Sequence, residues 1–177
     1  LEMTNTAAVL SEELGKLEGM SSQDKKELYQ TIGLGALKYF ILKVDPKKSI
    51  LFDPRKSVDF AGNTGPFIQY TYARIQSILR SRPLDSLVYS LTAITTKEKK
   101  IIKQILLYPE TIQQAAKQYS PALVANYVYD LVKLFNSFYQ NTPILGGDDS
   151  ELESFRISLC NEVGKIIESG TQLLGIT

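Results

Sequence analysis

A chain of 177 residues, 44% hydrophobic and 22% charged, has the make-up of one globular domain or of one domain with a small attachment, and with no run of about 18 apolar residues to span a bilayer it is expected to be soluble. It contains no His and one Cys, which excludes Ser-His or Cys-His nucleophile pairs, imidazole metal ligands and an internal disulfide. The net charge of +1 conceals an asymmetry: Lys43 to Lys103 holds 12 basic and 5 acidic residues, a net +7, against a net −6 for the remainder, which is read as a solvated basic surface or as a site for a polyanion.

Helical punctuation dominates and alternating strand patterns are scarce, so the expected fold class is all-α. Residue 1 is Leu, and the opening LEMTNTAAVLSEELGKLEG has neither signal-peptide nor transit-peptide character, so a fragment of a longer chain is expected. A first helix is predicted over residues 4–17, with Val9 or Leu10, Leu14 and Leu17 on one side and Gly19 at its end. Ser21 or Ser22 caps a second helix to about Lys43, in which Leu28, Ile32, Ala36, Tyr39 and Phe40 keep helical spacing. Pro46 and Pro54 break the next segment into a basic loop, with at most a short extended piece at SILF and a short helix after Pro54. In GNTGPFIQYTYARIQSILR, Asn63 or Thr64 is the cap and Pro66 the first-turn residue of a helix whose core stripe is Ile68, Tyr72, Ile75 and Leu79.

Beyond the joint at Arg82-Pro83, Thr95 and Glu98 have capping-box spacing and start a helix to about Leu107; Pro109 starts another, ending near Tyr119. Ser120-Pro121 opens the strongest core helix, with Val124, Tyr127, Leu131, Leu134 and Phe138 on its stripe. NTPILGGDDS is a loop, Ser150 with Glu153 is a second candidate capping box, and the last helix carries Leu152, Phe155, Leu159, Val163, Ile166 and Ile167, with Gly175 at its end.

Few residues point to chemistry. Asp148, Asp149, Glu151 and Glu153 cluster at a loop-to-helix boundary, where carboxylates suit the helix dipole without any metal. Gly33 and Gly35 lack the third glycine and preceding strand of a nucleotide loop and are read as close helix packing. Cys160 is read as a small buried hydrophobe, and KEKKIIK as a solvated helix face with phosphate contact as the other reading. Phe67, Tyr70 and Arg74 share a second face whose mean direction lies about 130° from the core stripe. Two rings and a guanidinium offer stacking faces and a planar cation to unpaired bases, or else pack against another helix.

The segments IGLGALKYFIL, FDPRKSVDFAGNTGPFIQYTYARIQSILR, YVYDLVKLFNSFYQNTPIL and SGTQLLGI resemble, in order, the region after the catalytic domain of class I arginyl-tRNA synthetases. GNTGPFIQYTYAR is the most specific part of that match. The resemblance implies a DALR-type anticodon-binding helical bundle over residues 62–177, preceded by connecting helices over residues 1–61. It implies an aminoacyl-tRNA synthetase that joins arginine to tRNA(Arg) with ATP and Mg, and a fragment that holds no cofactor itself and is inactive alone, because no HIGH-like or KMSK-like motif occurs. The implied partners are tRNA(Arg) and the catalytic domain of the same chain, in a monomeric, cytoplasmic enzyme with no membrane association. The implied RNA contacts are Phe67, Tyr70, Arg74 and Gln69, with Tyr139 ahead of Tyr127, which also fits the core stripe. Phe67 stands where the family commonly has Tyr, so a stacking ring remains without its hydroxyl. The competing expectation is a helical protein–protein interaction module without RNA specificity.

Overall fold

The computed structural model describes residues 2–13, 17, 19–51, 53–82, 94–146 and 149–176. Helices α1 (Glu2–Glu13), α2 (Ser22–Leu42), α3 (Pro54–Ser57), α4 (Gly65–Ser81), α5 (Thr96–Leu106), α6 (Tyr108–Gln118), α7 (Pro121–Asn141) and α8 (Ser150–Leu173) follow one another, and no strand occurs among the described residues. The all-α expectation holds. No helix is long and apolar enough to cross a membrane among the described residues.

The caps show why these segments become helices where they do. Ser21 accepts the Asp24 N–H at 3.1 Å to start α2, and Thr64 accepts the Phe67 N–H at 3.3 Å to start α4. Asn63, the other candidate cap, instead accepts the Tyr39 hydroxyl at 2.5 Å and ties α2 to the entry of α4. Thr95 and Glu98 form the expected reciprocal capping box on α5. The second expected box does not form: Asp149 caps α8, accepting the Glu151 and Leu152 N–H groups at 3.0 Å, because Glu153 is committed elsewhere. Ser120 precedes α7 without a side-chain cap bond, and Gly175 follows α8 with φ +65.

Helix α7 is the centre of the molecule, packing against α2, α4, α5, α6 and α8. Leu131, Val132, Phe135 and Phe138 on α7, Ile75 on α4, Ile101 on α5 and Val163 on α8 are fully buried there. A smaller core joins Met3 and Ala7 of α1 to Ile32 and Ala36 of α2 and to Val58, with Phe60 packed on it. In α1 the inward residues are Met3 and Ala7, and Val9 is 58% exposed; the side chain of Leu10, the other candidate, and Leu14 lie outside the described residues. The α4 stripe differs from expectation. In α4 the fully inward line is Ile68, Thr71, Ile75 and Ile78, and Tyr72 and Leu79 are half-buried at its edge.

Glycine allows the closest helix approaches. A Cβ on Gly65 would lie 2.7 Å from the Gly35 carbonyl oxygen, and one on Gly33 3.0 Å from the Thr4 nitrogen, so α4 and α1 both press against the backbone of α2. Two arginines fasten α8 across the bundle. Glu153 takes a hydrogen-bonded ion pair from Arg82 and the Gly146 N–H at 2.9 Å. Glu98, fully buried, is paired with Arg156 Nε at 2.9 Å, and Arg156 also donates to the Pro143 carbonyl at 2.8 Å. Cys160 is fully buried, and burial pushes its thiol up to about 12, in keeping with a structural role.

Candidate nucleic-acid interface

Helix α4 buries its Ile68, Thr71, Ile75 and Ile78 line, which leaves Tyr70 and Arg74 half-buried on an adjoining face. Helix α7 buries Phe135 and Phe138 and brings Tyr139, 39% exposed, to the same place. The Arg74 guanidinium carbon lies 4.9 Å from the Tyr70 ring centroid and 4.6 Å from that of Tyr139. Both distances are within the range in which a ring face attracts a cation. Each ring is steadied from behind. Tyr139 is stacked on buried Phe135 at 6.3 Å and 29°, and Tyr70 meets Phe60 edge-on at 6.3 Å and 78°. Arg74 Nη1 also donates to Asn136 Oδ1.

A cleft of about 370 Å³ opens at this cluster, lined by Tyr70, Ala73, Arg74, Ser77, Ile78 and Tyr139. A neighbouring cleft of about 400 Å³ shares Ile78 and Tyr139 and runs on to the loop after α7. The pair makes an open groove with a planar cation and two rings in its wall, and an arginine there presents only hydrogen-bond donors. Such a wall suits phosphate oxygens and the acceptor edges of unpaired bases.

Of the five residues expected at an RNA site, the structure brings three together: Tyr70, Arg74 and Tyr139. Phe67 is half-buried against α7, its ring 6.1 Å from that of Tyr129. Gln69 is on another side of α4, donating to the Thr31 carbonyl at 3.4 Å and lining an apolar cleft of about 410 Å³ between α2, α4 and α8. Tyr127 is 7% exposed and donates to the Gln104 carbonyl at 2.5 Å, which places it in the core. Sequence reasoning missed Phe60, Phe135 and Asn136. The one available signal was Asn136, an amide among the apolar positions of FNSFY.

In the basic stretch, Lys97 donates to the Ser137 carbonyl at 3.2 Å, while Lys99, Lys100 and Lys103 are exposed. The acidic cluster is dispersed into capping and pairing, with Asp149 on the α8 cap and Glu153 on Arg82; Asp148 lies outside the described residues. Among the described residues no group of three or more His, Cys, Asp or Glu side chains could hold a metal ion.

Helices packed around a buried central one, with an arginine between two tyrosines along an open groove, make an all-α domain. The chain belongs to the DALR anticodon binding domain family, whose model matches residues 68–177. It is 62% identical over 175 residues to the arginine–tRNA ligase of Flavobacterium psychrophilum, a match that covers 99% of this chain and 29% of that protein. The arginine–tRNA ligase of Parabacteroides distasonis is 51% identical, with 99% and 30% covered. Among solved structures, the arginyl-tRNA synthetase of Thermus thermophilus matches with a TM-score of 0.90 at 30% identity, over 99% of this chain and 30% of that one. That of Plasmodium falciparum matches with 0.83 at 27% identity, over 99% and 31%. The family expected from the motifs is thus the family found, and the chain spans about 30% of the length of the relatives it matches.

Proposed function

We propose that this chain is the tRNA-binding part of an arginine–tRNA ligase, and that it recognises the anticodon loop of tRNA(Arg) through Tyr70, Arg74 and Tyr139. The observation that carries this is the Arg74 guanidinium lying over two ring faces in an open groove. Phe67, against Tyr129, and Gln69, beside Thr31, lie outside that groove and are assigned no base. In the whole enzyme, a monomer of the cytoplasm, the catalytic domain of the same chain attaches arginine at the expense of ATP with Mg²⁺. The described residues of this part do not fit a Mg²⁺-nucleotide site, because no metal-binding group of carboxylates converges and Glu98 and Glu153 are both taken up by arginines. Residues 1–61 form the connection to that domain and residues 62–177 the bundle. The separate small core of Met3, Ala7, Ile32, Ala36 and Val58 supports this division, although α2 also reaches the main core through Tyr39.

The test is binding of the chain to tRNA(Arg), to the same RNA with its anticodon exchanged and to an unrelated tRNA over a salt series. Affinity for all three falls with salt, because lysines and arginines displace phosphate counterions. A preference for the native anticodon that persists at high salt is the expected result. Equal binding to all three, abolished by salt, would remove base reading from this groove.

A further inference from the structure

Behind Tyr70, Arg74 and Tyr139 runs a chain of hydrogen bonds through the interior. The Val132 carbonyl oxygen can only accept, and Asn136 Nδ2 donates to it at 3.1 Å and to Thr71 Oγ1 at 2.8 Å. This fixes which way the amide faces. Asn136 Oδ1 is therefore the atom turned toward Arg74, whose Nη1 donates to it. Thr71 directs its own hydroxyl proton to the Phe67 carbonyl at 2.9 Å, which leaves its oxygen free to accept from Asn136. Thr71 is 0% and Asn136 8% exposed, so neither presents a surface to RNA.

We infer that Thr71 and Asn136 are positioning residues for base selection, a buried relay that holds the Arg74 guanidinium over the two rings and fixes the direction of its remaining N–H groups. This inference rests on the anticodon reading proposed above and extends it from the groove to the interior. An arginine has many rotamers of similar energy, and over an open cleft they would be freely sampled. A wandering guanidinium still attracts any phosphate. A fixed one accepts only a base whose acceptor atoms meet its N–H groups where they stand, so the ligand is an unpaired base presenting acceptors on one edge. The relay therefore governs discrimination between anticodons more than total affinity. A residue that merely stabilised the fold would lower binding to matched and mismatched RNA alike.

Thr71→Val is the informative variant, because it keeps the branched shape and removes only the hydroxyl. Two measurements are made on the chain: the ratio of affinities for tRNA(Arg) and its anticodon-exchanged form, and the NMR shift of Arg74 Hε, which the neighbouring ring currents displace. The ratio is expected to fall up to about tenfold, the upper end of the net worth of one neutral hydrogen bond, with weak loss of affinity for the exchanged RNA. The Hε resonance should move toward that of a free arginine. Asn136→Leu should reproduce both changes, and Thr71→Val keeps the test decisive if that variant misfolds. An unchanged Hε resonance in Thr71→Val overturns the relay whatever the RNA result. A resonance that moves while the ratio stays constant overturns its role in selection. If the native chain shows no anticodon preference at all, the functional reading falls and selection with it, whereas the resonance still reports whether the relay holds Arg74.

Discussion

At Arg74 the shape of the cation matters as much as its charge. The guanidinium is planar, lies over the rings of Tyr70 and Tyr139, and can donate to Asn136 and to a ligand at the same time. An ammonium is a point charge without that fork. Arg74→Lys is therefore expected to keep most of the salt-dependent affinity for tRNA while the preference for the native anticodon drops about tenfold, or about 1.4 kcal/mol, as read by competition between matched and exchanged RNA. At this scale the sequence was informative where a side chain stood off the main stripe, as Tyr70 and Arg74 do. It was silent where the neighbour came from another helix. Nothing in the spacing of α4 shows that Tyr139 arrives from α7, or that Asn136 accepts from Arg74 across 62 residues of chain.

Helices are set here by contacts that allow little substitution. The Gly65 approach to the Gly35 carbonyl is backbone against side-chain space, so nothing can rotate away. Gly65→Ala should lose about 1–3 kcal/mol, the usual cost of overpacking, measured by denaturant unfolding. Gly35→Ala meets the amide end of Gln69 instead, which is able to turn aside, and should cost less. The buried Glu98 sets the acid behaviour of α5. Burial works against its charged form, but the hydrogen bonds from Arg156 and Thr95 together outweigh it and hold the carboxyl below its ordinary 4.5. A carboxyl depressed on folding stabilises above its unfolded value, and that contribution is lost as pH falls through the folded one. Glu98→Gln should therefore cost about 3 kcal/mol at neutral pH, near the lower end for breaking a buried pair, and should flatten the loss of stability below pH 4.5 in a pH series of melts. The Thr95 and Glu98 box was legible because both partners lie within one turn. The Ser150 and Glu153 box misled because Arg82, distant in sequence, takes Glu153. In α1 the exposed Val9 shows that one face of a short helix is chosen by its neighbour, here the backbone of α2 at Gly33.

For the molecule as a whole, the helical fold and the family were readable because punctuation and motif are local properties of the chain. The groove was not, since it exists only once α4 and α7 are laid together with Phe60 and Phe135 behind them. The two ion pairs to α8 have one more consequence. Arg82 closes α4 onto Glu153, and Thr95 opens α5 beside Glu98, which is held by Arg156. The two ends of the connection between α4 and α5 are thus moored within one turn of a single helix, independently of what lies between them. The C-terminal end of α4 and the N-terminal end of α5 are thereby held at one level of the bundle. Arg82→Ala should lower the melting temperature, because it leaves the buried Glu153 carboxylate without its cation and frees the end of α4.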